Sequence, residues 1–266
     1  MSKLENAHQP MKCLVINLDR STDRLNHATS EFAKIGVASE RIAAVDASKE
    51  ALNFPSARHL TKPEIACFLS HRKCWQIIAD GTDQYCAIFE DDVVFRHDAG
   101  AFLSDDSWVP RDADVVKLET FFGQVRLGRL ASIGNGHSIG RLVGEHLGTA
   151  GYVISKAASQ KLLLRTTYLK EPIDLALFSP NSMICARNNT YQVTPALCAQ
   201  HHFLSERDKT PTLIQTAPHH PKSVATKIRG ELSRVFAHCR NGTFRRTQKV
   251  DLALGWPDAP PPRRSL

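Results

Sequence analysis

Long apolar runs are missing from this chain of 266 residues. No stretch approaches the roughly 20 consecutive apolar residues that cross a bilayer, so no membrane-spanning helix is expected. The opening Met1-Ser2-Lys3-Leu4-Glu5-Asn6 lacks the apolar core of a secretory signal. The seven cysteines (Cys13, Cys67, Cys74, Cys86, Cys185, Cys198 and Cys239) are odd in number and scattered, with no C-x-x-C pair. That argues against a disulfide framework and against a zinc site. Most lie in apolar settings and read as small buried hydrophobes. A reducing cytoplasm is the expected location. Glycine-rich nucleotide loops are absent as well. Gly148-Thr149-Ala150-Gly151 has the spacing of neither a dinucleotide fingerprint nor a phosphate loop. No internal repeat is visible.

What is present is enough apolar content, 42%, to bury a core, at a length that fits one large α/β domain with an appendage. The net charge of +7 is unevenly placed. Residues 221–266 carry 10 Lys+Arg against 3 Asp+Glu, which leaves 24 against 24 in residues 1–220. The expected division is therefore a neutral globular domain over 1–220 and a basic, proline-rich tail over 221–266. Such a tail suits an anionic membrane surface, or is simply solvated. Nucleic-acid binding would ask for interleaved aromatics, and the tail offers only Phe236, Phe244 and Trp256.

The most informative stretch is Cys86-Ala87-Ile88-Phe89-Glu90-Asp91-Asp92-Val93-Val94-Phe95. Three adjacent carboxylates at the end of an apolar strand repel one another and resist desolvation. A hard divalent cation, Mg²⁺ or Mn²⁺, relieves both costs. Alternation along a strand sets Glu90 and Asp92 on one side and Asp91 on the other. On that reading Asp92 is a metal ligand and Glu90 a second one; the alternative is an acidic surface turn that happens to follow a strand.

The surrounding pattern alternates strand and helix. Lys12–Leu18 reads as a buried strand, followed by a helix near Arg24–Ile35 that stops at Gly36. Arg41–Val45 is a short strand. Thr61, Pro63 and Glu64 form a helix start with a capping box, and that helix runs to about Ala79. Tyr85–Phe89 and Asp114–Leu118 are further strands, and Gly148–Ile154 leads into a helix at Lys156–Leu164. The expected fold is α/β: one Rossmann-like, mostly parallel sheet with helices on both faces. Asn17, Asp19, Asp46 and Glu90–Asp92 all fall at carboxyl ends of strands, where such sheets bind ligands.

These segments resemble glycosyltransferase family 25, the bacterial lipooligosaccharide and lipopolysaccharide glycosyltransferases and their collagen galactosyltransferase relatives. The resemblance rests on ordered matches. They are Val15-Ile16-Asn17-Leu18-Asp19-Arg20-Ser21-Thr22-Asp23-Arg24, Arg41–Asp46, Lys62–His71 with Trp75, Ile88–Val93, Gly148–Ser155, Pro172-Ile173-Asp174 and Pro195–Gln200. Ala66 stands where the family often has Gly. The segment after about His220 is not covered.

The resemblance implies a GT-A fold, a nucleotide-sugar donor, a divalent metal, and an inverting transfer of a hexose to a lipopolysaccharide or lipooligosaccharide core. Galactose from UDP-galactose is the donor it suggests. Asn17, Arg24, Asp46, Glu90 and Gln200 become candidates for donor binding, and Asp92 with Glu90 for the metal. Asp174 is the candidate base, or else a helix N-cap. His71, lying mid-helix, either contacts a phosphate or the metal site, or is a core histidine. Arg20 and Arg24 could fork onto phosphate or lie solvated. Asp46 could accept from ribose or uracil, or cap a turn. His201 or His202 could complete a metal shell. The rival reading is another metal-dependent phosphoryl-transfer enzyme, a nucleotidyltransferase or nuclease, built on the same acids.

Overall fold

The computed structural model describes residues 10–49, 57, 59–204 and 247–252. The opening hexapeptide and most of the basic tail, including the boundary at 220, lie outside the described residues. Three strands come first in one parallel group: β1 (Lys12–Asn17), β2 (Glu40–Ala43) and β3 (Tyr85–Glu90). Between them run α1 (Thr22–Lys34) and α2 (Lys62–Asp80). The start of α2 is the capping box read from sequence. Thr61 Oγ1 accepts from the Glu64 amide, and Glu64 accepts the Thr61 amide at 2.7 Å. After β3 come β4 (Val93–Phe95), α3 (Ala99–Leu103), β5 (Val115–Lys117), β6 (Glu119–Thr120), β7 (Gln124–Leu127), β8 (Ala131–Gly134) and β9 (His137–Arg141). The chain then forms β10 (Gly151–Ser155), α4 (Lys156–Arg165), α5 (Ile173–Phe178), β11 (Thr190–Thr194), β12 (Cys198–Gln200), α6 (His201–Leu204) and β13 (Gln248–Asp251).

The main sheet has eight strands in the order β2-β1-β3-β10-β5-β11-β9-β8. Only β10 and β9 run against the rest, each pairing antiparallel with both of its neighbours. The mostly parallel α/β sheet expected from sequence is therefore present, with two reversed strands inserted. A second sheet, β4-β12-β6, sits beside the carboxyl end of β3.

Strand alternation divides the core into two layers. Cys13, Val15, Ala87, Phe89 and Val153 pack with Ala28 and Phe32 of α1 and Phe102 and Leu103 of α3. Leu14, Ile16, Ile88, Tyr152 and Ile154 pack with Phe68, Trp75 and Ile78 of α2, Leu162 of α4 and Leu177 and Phe178 of α5. The helices cover both faces because each strand is apolar on both sides.

The tail assignment needs one correction. Residues 248–251, placed in the appended segment by the charge count, form β13 and pair antiparallel with β7. The next residue, Leu252, is fully buried against Val125 and Leu127. Charge density marks solvated surface, but it does not register a short strand whose apolar residues return to the body of the fold.

Candidate active site

The parallel register Ile16↔Glu90 and Asn17↔Ala43 brings the carboxyl ends of β1, β2 and β3 to one edge. The acidic triplet turns there, and its side chains divide differently from a simple strand. Glu90 ends β3, whereas Asp91 and Asp92 lie in a turn before β4. Arg24, in the first turn of α1, spans both aspartates. Its Nη2 is 2.8 Å from Asp91 Oδ1 and 2.7 Å from Asp92 Oδ2. The expected pairing of Glu90 with Asp92 against Asp91 is thus replaced by a shared Asp91–Asp92 clamp, because the turn ends the alternation at Glu90.

Asn17 is buried and anchors the clamp. Its Nδ2 donates to Asp91 Oδ2 at 2.7 Å and to the Ser21 carbonyl at 3.0 Å, and its Oδ1 accepts from Arg41 Nε at 3.0 Å. Arg41 is in turn paired with Asp19 at 2.6 Å. Asn17 therefore holds the acidic turn in place. Asp46 is engaged elsewhere, pairing with Arg20 and accepting from Ser48 Oγ at 2.7 Å and the Ser48 amide at 2.9 Å. The turn cap read from sequence is formed. The Arg20 pair and the Ser48 bonds hold its carboxyl well below the usual range.

Asp92 Oδ1 is buried and has no hydrogen-bond partner among the described residues. Burial, with Glu90 and Asp91 adding repulsion, pushes the Asp92 carboxyl up to about 7 against the pull of Arg24. Burial likewise raises Asp91, opposed by Arg24 and Asn17. A carboxylate in this state fits a divalent cation. The second sheet brings β12 alongside: Gln200 is in register with Val93, and the His201 amide donates to the Asp92 carbonyl at 2.8 Å. The His201 ring meets His27 edge-on at 5.1 Å. Gln200 and His201 thus border the acidic turn.

Glu90 turns toward α2. Its Oε1 accepts from Thr149 Oγ1 at 2.5 Å and lies 3.6 Å from His71 Nε2. Burial would raise Glu90, but the His71 ring and the Thr149 hydroxyl outweigh it and keep the carboxyl below its ordinary value. His71 is completely buried. Its Nδ1 is 2.9 Å from Tyr152 Oη, which also accepts from Trp75 Nε1 at 3.0 Å.

Asp174 belongs to the same region, since it interacts electrostatically with Glu90, Lys117 and Cys67. It is not the N-cap of α5. That position is Pro172, and Asp174 Oδ1 accepts from the Leu175 amide at 2.8 Å. Burial raises its carboxyl above the usual range.

The sequence reading passed over a buried ion pair beneath the site. Lys117 Nζ donates to Glu119 Oε1 at 3.0 Å and to the carbonyls of Leu147 and Gly148 at 2.8 and 2.6 Å. Both side chains are fully buried, and the ammonium sits 4.2 Å from the Phe178 ring centroid. Glu119 also accepts from the Ala150 amide. Gly148 has φ +88°, and a Cβ there would run into the Glu119 carboxylate and the Phe121 ring. The pair therefore fixes the turn that aims Thr149 at Glu90. A signal existed: Lys117 is the one charge inside an apolar strand.

The profile described as "Glycosyltransferase family 25 (LPS biosynthesis protein)" matches residues 11–177. The chain is 32% identical over 212 residues to the lipooligosaccharide biosynthesis protein lic2B of Haemophilus influenzae, covering 73% of this chain and 77% of that protein. It is 33% identical over 230 residues to the lacto-N-neotetraose biosynthesis glycosyltransferase LgtB of Neisseria gonorrhoeae, covering 77% and 80%. A third relative is LgtE of Neisseria meningitidis serogroup B, 34% identical over 210 residues, covering 70% and 72%. The match takes in β1, β2, β3 and the acidic turn, and runs as far as α5, while β12 lies beyond it. With this coverage, the chain belongs to glycosyltransferase family 25.

Proposed function

We propose that this glycosyltransferase is an inverting enzyme of the GT-A type that moves a hexose, galactose from UDP-galactose, onto a lipooligosaccharide or lipopolysaccharide core. The relatives' names, lipooligosaccharide and lacto-N-neotetraose biosynthesis, support the acceptor class, and the sugar is the one the family resemblance suggests. The observation that carries the reading is the buried, unpartnered Asp92 Oδ1 with its carboxyl raised to about 7. Mn²⁺ or Mg²⁺ held at Asp92 would act as a Lewis acid that neutralises the departing diphosphate. Arg24 stands at the same turn and offers its guanidinium to the phosphates once it shares the aspartates with a cation. Asp174 is the base. Its Oδ1 is occupied by the Leu175 amide, so Oδ2 receives the proton of the acceptor hydroxyl. A raised carboxyl improves it for that task.

No helix among the described residues is long and apolar enough to cross a membrane. Residues 221–266 hold the whole net charge of +7. With a lipid-linked acceptor, that charge supports work at the cytoplasmic face of the inner membrane, with the basic segment against anionic headgroups.

The test is a panel of nucleotide sugars assayed with Mn²⁺ and a lipid-free core acceptor. UDP-galactose should be the productive donor, and EDTA should abolish transfer. Asp174→Asn should lower turnover by about 10²–10⁴ with donor affinity little changed. Full activity in that variant removes Asp174 as the base, and transfer unaffected by EDTA removes the metal.

A further inference from the structure

The face of α2 turned toward Glu90 holds a cluster that the scattered cysteines gave no reason to expect. Cys67 and His71 are four residues apart, one helical turn, and so share one face of α2. Packing of α2 against β3 sets them opposite Glu90. Cys67 Sγ, His71 Nε2 and a Glu90 carboxylate oxygen all lie within 4.8 Å of one another. We propose that these three atoms form a second metal site, for a thiophilic divalent ion of the zinc class, distinct from the hard-cation position at Asp92.

His71 supplies the independent observation. The residue is 0% exposed, and its Nε2, aimed into the cluster, has no hydrogen-bond partner among the described residues. An orphaned ring nitrogen at such depth is costly. Its 3.6 Å separation from Glu90 Oε1 is too long for a hydrogen bond. Two ligands held at about 2.0–2.3 Å around a tetrahedral ion stand roughly 3.3–3.7 Å apart, and the His71–Glu90 pair has that spacing.

The outer contacts are those a ligating imidazole needs. Tyr152 Oη tethers Nδ1 and so turns Nε2 to the cluster. Its oxygen has a lone pair for the Nδ1–H of a ligated ring and another for Trp75 Nε1–H. Thr149 fixes the Glu90 carboxylate in the same way. Glu64, Asp92 and Asp174 also act electrostatically on Cys67, so the surroundings favour a cation.

The donor set decides which ion. Thiolate with imidazole selects zinc-like metals over Mg²⁺ or Mn²⁺, which prefer oxygen alone. Three protein ligands leave a fourth position for water or a substrate oxygen. On binding, the Cys67 thiol gives its proton to solvent. The proposal is independent of the donor sugar and of the Asp92 metal.

Co²⁺ reports such a site directly, because a thiolate ligand gives a ligand-to-metal charge-transfer band in the near ultraviolet. Titrating the full chain with Co²⁺ should produce that band with one-to-one stoichiometry, and Zn²⁺ but not excess Mg²⁺ should bleach it. The band should vanish in Cys67→Ser and persist in Asp92→Asn. Tyr152→Phe should keep the band but weaken Co²⁺ binding by about 10–100-fold. This variant retains the thiol, so it tests the site even where Cys67→Ser folds poorly. A band that survives in Cys67→Ser, Co²⁺ affinity unchanged by Tyr152→Phe, or no band in the wild-type chain overturns the proposal.

Discussion

Asp92→Asn should make the protein more stable while stopping its chemistry, and the stabilisation should depend on pH in one direction. The Asp92 carboxyl titrates at about 7 in the fold, against 3.8 for an unburied aspartate. Its proton is therefore held about 4 kcal/mol more tightly in the folded chain, at about 1.4 kcal/mol per factor of ten. Between those two values the folded state binds more protons than the unfolded one. Wild-type stability must then fall as pH rises from about 4 through about 7. Asparagine has no charge to bury and lacks that slope. The attraction of Arg24 is already contained in the value of about 7, since it acts against the rise. The gain above pH 7 is therefore about 4 kcal/mol, or about 8–16 °C in Tm for a chain of this size. Below pH 4 the gain should disappear. Thermal unfolding followed by circular dichroism at pH 8 and pH 4, in EDTA, measures both. Added Mn²⁺ should raise the wild-type Tm at pH 8 and leave that of the variant unmoved. A Tm lowered by the same amount at both pH values would refute the claim that Asp92 is a strained carboxylate awaiting a cation.

The buried Lys117–Glu119 pair makes a second prediction. Lys117→Met leaves an unpaired buried carboxylate and should cost about 3–5 kcal/mol in chemical denaturation, whereas Lys117→Met/Glu119→Gln should cost clearly less. Equal losses would mean that Glu119 does not depend on Lys117. Leu252→Ala should destabilise by about 2–5 kcal/mol in the same assay, because Leu252 is fully buried beside β7. A near-neutral result would detach β13 from the fold.

The layered α/β fold was legible because buried strands and amphipathic helices write their periods into the sequence. Lys12–Asn17, Tyr85–Glu90 and the capped start of α2 fall where the pattern puts them. The small second sheet, the reversed β10 and the return of β13 were not legible. Short strands such as Glu119–Thr120 carry no period, and strand direction depends on partners distant in the chain.

The site divides in the same manner. Sequence alone determined that three carboxylates end an apolar strand, that Asn17 stands at the end of another with Arg24 shortly after it, and that Asp174 sits in an apolar segment. Tertiary structure decided which of them meet. It turned the chain after Glu90, so that Asp91 and Asp92 share Arg24 while Glu90 faces His71 and Cys67. It placed Pro172 rather than Asp174 at the cap of α5 and closed Asp46 onto Arg20. The physical reason is that periodicity fixes which side of an element a residue occupies. The partner it meets is fixed by the packing of helices on strands that are dozens of residues away.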